Sequence, residues 1–263
     1  MIALFDSGIG GLTVLAALRR RLPERDFLYL SDQMHFPYGD RQAEDVRGDV
    51  AAFAVLARDR GAEALVLACN TASALALDAA REAFGGPVYG VIGPVARGVR
   101  GAKRVGVLAT SNTCRTHAYR RAMGESTLEV ACPSLIALAE AGGASSGEVA
   151  QEAQGPLEEL RRAGCDTIVL GCTHLPHFTA VLEELASGWA RLVDPGELLA
   201  EELSAEIGDR REPGRLFCAT TGDPALFASR LGTELPELAR GAVTCALRRD
   251  ARGALFVDAA FGG

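Results

Sequence analysis

The amino-acid sequence predicts an α/β protein: two pseudo-symmetric three-layer αβα domains with mostly parallel sheets and an active site in the cleft between them. Three observations lead there. Short apolar runs alternate with longer amphipathic stretches, the rhythm of strands flanked by helices on both sheet faces. One segment recurs about 100 residues later, which argues for two related units. At 263 residues the chain can bury roughly 70–75% of its unfolded surface, enough for either one large domain or two small ones.

Taken in order, Ile2–Phe5, Phe27–Leu30, Leu65–Ala68 and Val88–Ile92 read as buried parallel strands, because each is apolar without alternation. Leu12–Arg21 and Val46–Arg60 have helical length and apolar residues at helical spacing. The rhythm restarts at Arg104–Leu108 and continues through Leu128–Ala131, Thr167–Leu170 and Arg191–Val193. Ala141–Gly147 and Gly208–Gly214, rich in Gly, Ser, Pro or charge, read as connections. The repeat is specific: Gly61, Glu63, Val66, Leu67 and Cys69 match Gly164, Asp166, Val169, Leu170 and Cys172 at an offset of 103. A weaker match sets Ala3-Leu-Phe-Asp-Ser on Val107-Leu-Ala-Thr-Ser at an offset of 104.

Composition excludes several classes. With 27 basic and 34 acidic residues the net charge is −7, which disfavours nucleic acid or an anionic membrane surface as a partner. Seven scattered cysteines with no Cys-x-x-Cys pair indicate neither a zinc knuckle nor a disulfide framework. The start, Met-Ile-Ala-Leu-Phe-Asp, lacks the pattern of a secretory signal, and charges interrupt the most apolar stretch, Ala64–Ala83. A cytoplasmic protein is expected.

The chemistry concentrates at Cys69 and Cys172. Each follows an apolar run, at the carboxyl end of a predicted strand, where open α/β sheets bind ligands. A following helix start offers free backbone N–H groups and favours a thiolate. A single cysteine after a strand is most simply a small buried hydrophobe. Two matched ones, followed by Asn70-Thr71 and Thr173-His174, suggest two thiols facing one cleft. That suits inversion at carbon, where one group removes a proton from one face and another delivers one to the opposite face. The only lysine, Lys103, lies ahead of a predicted strand at its amino end, a poor place for a Schiff base, so no organic cofactor is expected.

Other motifs carry less by themselves. Phe5-Asp6-Ser7-Gly8-Ile9-Gly10-Gly11-Leu12-Thr13 lacks the third glycine of a dinucleotide fingerprint and reads as a tight turn that sets Asp6 and Ser7 at the sheet edge. His35-Phe36-Pro37-Tyr38-Gly39 reads as an ordinary turn whose amides could meet a carboxylate. Cys172, His174 and His177 have metal-ligand spacing. No second cluster lies nearby and the Cys69 copy has no histidine, so no metal is expected and His177 is placed at a helix surface. Glu140 and His117 read as members of solvated faces.

The motifs Phe-Asp-Ser-Gly-Ile-Gly-Gly, Pro-Tyr-Gly, Ala-Cys-Asn-Thr-Ala, Val-Leu-Ala-Thr-x-x-Thr and Gly-Cys-Thr-His-Leu-Pro run in order through Thr220-Thr-Gly-Asp-Pro. In this combination the chain resembles the cofactor-independent aspartate/glutamate racemases, of the glutamate racemase type. His174 marks that type, since aspartate racemases typically carry Glu there. The resemblance implies that Cys69 takes the α-proton of D-glutamate and Cys172 that of L-glutamate. Asp6 would assist Cys69 and His174 would assist Cys172. Glu140, the acidic residue after Cys132-Pro133, would support the second side. Asp6, Ser7, Pro37, Tyr38, Gly39, Asn70, Thr71, Thr173 and His174 match substrate-binding positions, with Thr110 and Thr113 contributing. The resemblance further implies domains 1–93 plus 204–263 and 94–203, a homodimer, and D-glutamate production for peptidoglycan synthesis. Met34 and Gly93 depart from the usual pattern, at an expected cleft wall or dimer contact. The alternatives are an aspartate or hydantoin racemase of the same superfamily, or a non-catalytic regulatory relative of the gyrase-inhibiting kind.

Overall fold

Residues 1–207, 214–251 and 254–257 are described by the structure, a computed structural model; of the expected Gly208–Gly214 connection, only Gly214 lies among them. Eleven strands are present among these residues: β1 (Ile2–Asp6), β2 (Phe27–Ser31), β3 (Ala64–Leu67), β4 (Val88–Gly90), β5 (Val105–Ala109), β6 (Leu128–Ala131), β7 (Thr167–Gly171), β8 (Arg191–Val193), β9 (Leu216–Thr220), β10 (Val243–Arg249) and β11 (Leu255–Val257). They form two sheets, ordered β11-β10-β9-β2-β1-β3-β4 and β6-β5-β7-β8. Every pairing is parallel except that of β10 with β11.

Both sheets are covered on both faces, which is why their central strands are apolar throughout. On the first sheet, Phe5 and Leu67 pack with Val50 and Phe53 of the Ala43–Asp59 helix. Its other face carries Leu4 and Val66 against the Leu12–Arg21, Pro195–Glu206 and Pro224–Glu234 helices. On the second sheet, Leu108 and Leu170 meet the Pro133–Ala141 and Ser146–Arg162 helices. Val107 and Val169 face Val95 and Tyr119 on the opposite side.

Local chemistry accounts for the helix boundaries. Leu12, Leu15 and Leu18 set one buried face, and Arg19, Arg20 and Arg21 crowd the last turn, where a helix favours cations. The Ala141–Gly147 connection ends in a capping box, Ser145 with Glu148. Asp194 and Asp223 cap helices that begin at Pro195 and Pro224.

The repeat is visible as shared topology: β2-β1-β3-β4 and β6-β5-β7-β8 have the same order. Its register corrects one sequence alignment. Phe5 pairs with Leu67 and Leu108 with Leu170, so β1 maps onto β5 at an offset of 103, not 104. The face assignment agrees, since each of these pairs lies in a single core. A strand buried on both faces lacks the alternation that would expose a slip of one residue.

Candidate active site

The carboxyl ends of β1, β3, β5 and β7 converge between the sheets, and the matched cysteines lie there, each only 6% exposed. Cys69 caps the Asn70–Leu75 helix: its sulfur accepts from the Ala72 amide at 3.5 Å and lies 3.6 Å from the Ser7 hydroxyl. Cys172 has different company. A 3-10 turn, Leu175–Phe178, follows it, and its sulfur stands 3.7 Å from His174 Nδ1. The helix-start environment expected at both cysteines is therefore built only at Cys69.

Electrostatics separate the two sides further. Burial, followed by the nearby Asp6 carboxylate, pushes the Cys69 thiol up to about 12 despite the Ala72 and Ser7 hydrogen bonds. The expected thiolate-favouring effect of the helix start is overruled, because desolvation of a sulfur anion outweighs one amide. Burial disfavours charge on His174 as well. Hydrogen bonds to Cys172 and Glu140, with their charges, outweigh it and raise the imidazole to about 10. Glu140 meets His174 Nε2 from the last turn of the Pro133–Ala141 helix, so it belongs to the site rather than to a solvated face.

Asp6 joins the two sides. It is fully buried, accepts from the Gly8 amide at 2.9 Å and receives the Thr173 hydroxyl at 3.2 Å. Burial raises its carboxyl, while the His174 charge and its hydrogen-bond donors oppose the shift. The glycines of the first turn permit this approach. A Cβ on Gly10 would lie 2.5 Å from Thr173 Oγ1 and 2.7 Å from His174 Nδ1. One on Gly11 would lie 2.6 Å from Asp6 Cβ.

The remaining predicted residues form two groups beside the thiols. Thr71, Thr110 and Thr113 make a triangle of hydroxyls with edges of 2.9, 3.2 and 3.0 Å, bridging the two sheets. Pro37 and Gly39 line an apolar cavity of about 320 Å³ together with Thr110 and Ile136. Tyr38 is buried, its hydroxyl donating to Asp32 at 2.7 Å, so the loop presents mainly backbone. Asn70 accepts from the Tyr119 hydroxyl.

Asp32, Asn112 and Tyr119 escaped the sequence reading. Asn112 Nδ2 donates to the Tyr38 and Arg41 carbonyls at 2.7 and 2.8 Å, tying the Pro37–Gly39 loop to the second domain. Its signal was its place between Thr110 and Thr113 in a recognised motif; Asp32 and Tyr119 had none. His177 is exposed, as expected, though in a 3-10 turn, and its Nδ1 lies 3.2 Å from the Glu234 carboxylate. His117 is exposed and pairs with Glu129 at 3.1 Å. Among the described residues, the side chains grouped closely enough to hold a metal are Asp32, His35 and Asp49, away from the Cys172–His177 motif. Asp49 there is already paired with Arg41 and Arg249. Met34 is exposed, and Gly93 sits in the Ile92–Gly98 helix with ordinary room for a Cβ.

Known proteins share both sequence and architecture. A sequence profile of Asp/Glu/Hydantoin racemases matches residues 12–203. A glutamate racemase from Synechococcus is 38% identical over 248 residues, covering 88% of this chain and 92% of that protein. The crystal structure of a glutamate racemase isoform from Bacillus anthracis superposes with a TM-score of 0.85 at 31% identity, covering 90% of this chain and 94% of that one. The Francisella tularensis glutamate racemase, solved with D-glutamate, gives a TM-score of 0.82 at 28% identity over 89% and 93% of the two chains. With a profile across most of its length, these relatives and this fold, the chain belongs to the Asp/Glu/Hydantoin racemase family.

Proposed function

We propose that this protein interconverts L- and D-glutamate by passing the α-proton between Cys69 and Cys172, without an organic cofactor or metal. The observation that carries the reading is the pair of buried thiols at the ends of matched strands in different sheets, each with its own acid–base partners. With L-glutamate bound, the Cα–H bond breaks and its proton passes to the Cys172 sulfur, beside the protonated His174 ring. The Cys69 thiol, which holds its proton up to about 12, then delivers that proton to the opposite face of the carbanion. The reverse reaction starts from a Cys69 thiolate, made more basic by burial and by Asp6. Ser7, Asn70, Thr71, Thr173 and the first-turn amides supply neutral donors for the substrate carboxylates.

By the same reading, the D-glutamate feeds peptidoglycan synthesis in a bacterial cytoplasm. Among the described residues no helix is long and apolar enough to cross a membrane. The protein acts as a homodimer, which light scattering on the purified chain checks. Its domains divide into 1–93 plus 204–263 and 94–203; the return of β9 and β10 to the sheet of β1–β4 supports this.

The test is proton exchange. In deuterium oxide, with no added cofactor, either enantiomer gains deuterium at Cα, followed by NMR. Folded protein that exchanges neither overturns the proposal. Cys69→Ser and Cys172→Ser each lower racemisation by about a thousandfold while glutamate still binds. A regulatory relative would bind without exchange, and aspartate and hydantoins run in parallel exclude the neighbouring substrates.

A further inference from the structure

We propose that Arg230 and Glu234, one turn apart on the Pro224–Glu234 helix, are positioning residues that hold Glu140 and His174 in place against Cys172. The inference rests on the two-thiol reading and extends it to a helix of the other domain. That helix is anchored in the first domain, with Phe227 and Leu231 buried in its core. Residues four apart share a helix face, and here both reach across to the second domain.

Glu140 occupies the last turn of the Pro133–Ala141 helix, where carbonyls lack intrahelical partners and where no basic residue of that helix stands nearby. Arg230 supplies the missing cation. Its Nη2 donates to the Glu140 and Ala141 carbonyls at 3.4 and 3.3 Å, a favourable place for positive charge at a helix carboxyl end. Space for it is kept by Gly142, at φ +73°, where a Cβ would stand 2.6 Å from Arg230 Nη1. Glu234 acts on the other member of the pair. Its carboxylate stands 3.2 Å from His177 Nδ1, in the 3-10 turn that begins immediately after His174. The carboxylate is thus braced at its own carbonyl, and the imidazole through the turn after it, where the His177 amide donates to the His174 carbonyl at 3.3 Å; both contacts come from one helix.

Isotope effects test this with a readout that general loosening would not reproduce. Racemisation has two proton steps, one at each thiol. Slowing only the Cys172 step makes removal of the α-proton from L-glutamate more rate-limiting and removal from D-glutamate less so. For Arg230→Ala, kcat is expected to fall on the order of tenfold. The deuterium effect on kcat/KM should rise with L-[2-²H]glutamate and fall with the D enantiomer. Arg230→Lys, which keeps the cation, should recover most of the rate. Glu234→Gln should shift the isotope effects in the same sense and provides the measurement should Arg230→Ala not fold. Unchanged isotope effects, or effects that move together for both enantiomers, overturn the proposal. A wild-type protein without α-exchange instead overturns the two-thiol reading itself.

Discussion

Burial disfavours the His174 imidazolium, yet Cys172 and Glu140 keep the ring protonated up to about 10. A pKa raised on folding stabilises the native state fully below the unfolded value of about 6.5 and loses that contribution as pH rises through about 10. The wild-type Tm should therefore fall between pH 7 and 9, and calorimetry of His174→Asn should show a shallower slope. Cys69, pushed up to about 12, adds a loss of the same sign that begins near the unfolded thiol value of about 8.5, so the two proteins are compared over the part of the window below pH 8. At this scale the two thiols and His174 were legible, because strand ends and matched spacing are local signals. Glu140 was not legible from its surroundings: it meets His174 across 34 residues of chain, from a helix with no local mark of function. The direction of the Cys69 shift was not legible, since burial of the thiol itself, with the Asp6 carboxylate beside it, is a tertiary fact.

Elements expose the steric side of the site. The first-turn glycines hold β1 and its following helix against Thr173 and His174, so Gly10→Ala should displace the imidazole. The expected cost is about 1–3 kcal/mol of stability, with activity lost by a larger factor than that instability alone explains. Denaturant melts and steady-state rates on the same preparation check this. Gly48→Ala and Gly155→Ala, in helices with nothing within 4 Å of the new Cβ, should instead stabilise by about 0.5–1 kcal/mol. Most elements were legible because apolar runs and helical spacing are strong signals; Leu12–Arg21 matches its helix end to end. The β1–β5 alignment slipped by one because buried parallel strands are apolar at every position. The expected strand Val88–Ile92 stops at Gly90, and Ile92 opens the next helix.

Across the whole molecule, polar bonds tie the domains together around the site. Thr13 donates to the Thr173 carbonyl at 3.2 Å, Thr71 meets Thr110, and Asn112 holds the Pro37–Gly39 loop. Asn112→Ala should raise KM for glutamate several-fold with a smaller change in kcat, because it frees the loop without touching either thiol; initial rates across substrate concentration decide it. Two related domains were legible from the repeat alone. The return of β9–β11 to the first sheet was not, since these strands have no copy in the other half and only the family resemblance pointed to it. The shared order β2-β1-β3-β4 and β6-β5-β7-β8 has one last consequence, and it concerns handedness. A twofold rotation carries an L-amino acid onto another L-amino acid; only a reflection turns it into its mirror image. No rotational pseudo-symmetry of a protein built from L-residues can therefore treat the two enantiomers as equivalent. On the proposed two-thiol reading, the divergence of Asn70-Thr71 from Thr173-His174 has a use: duplication places a thiol in each half, and departure from symmetry gives each thiol surroundings suited to a different hand.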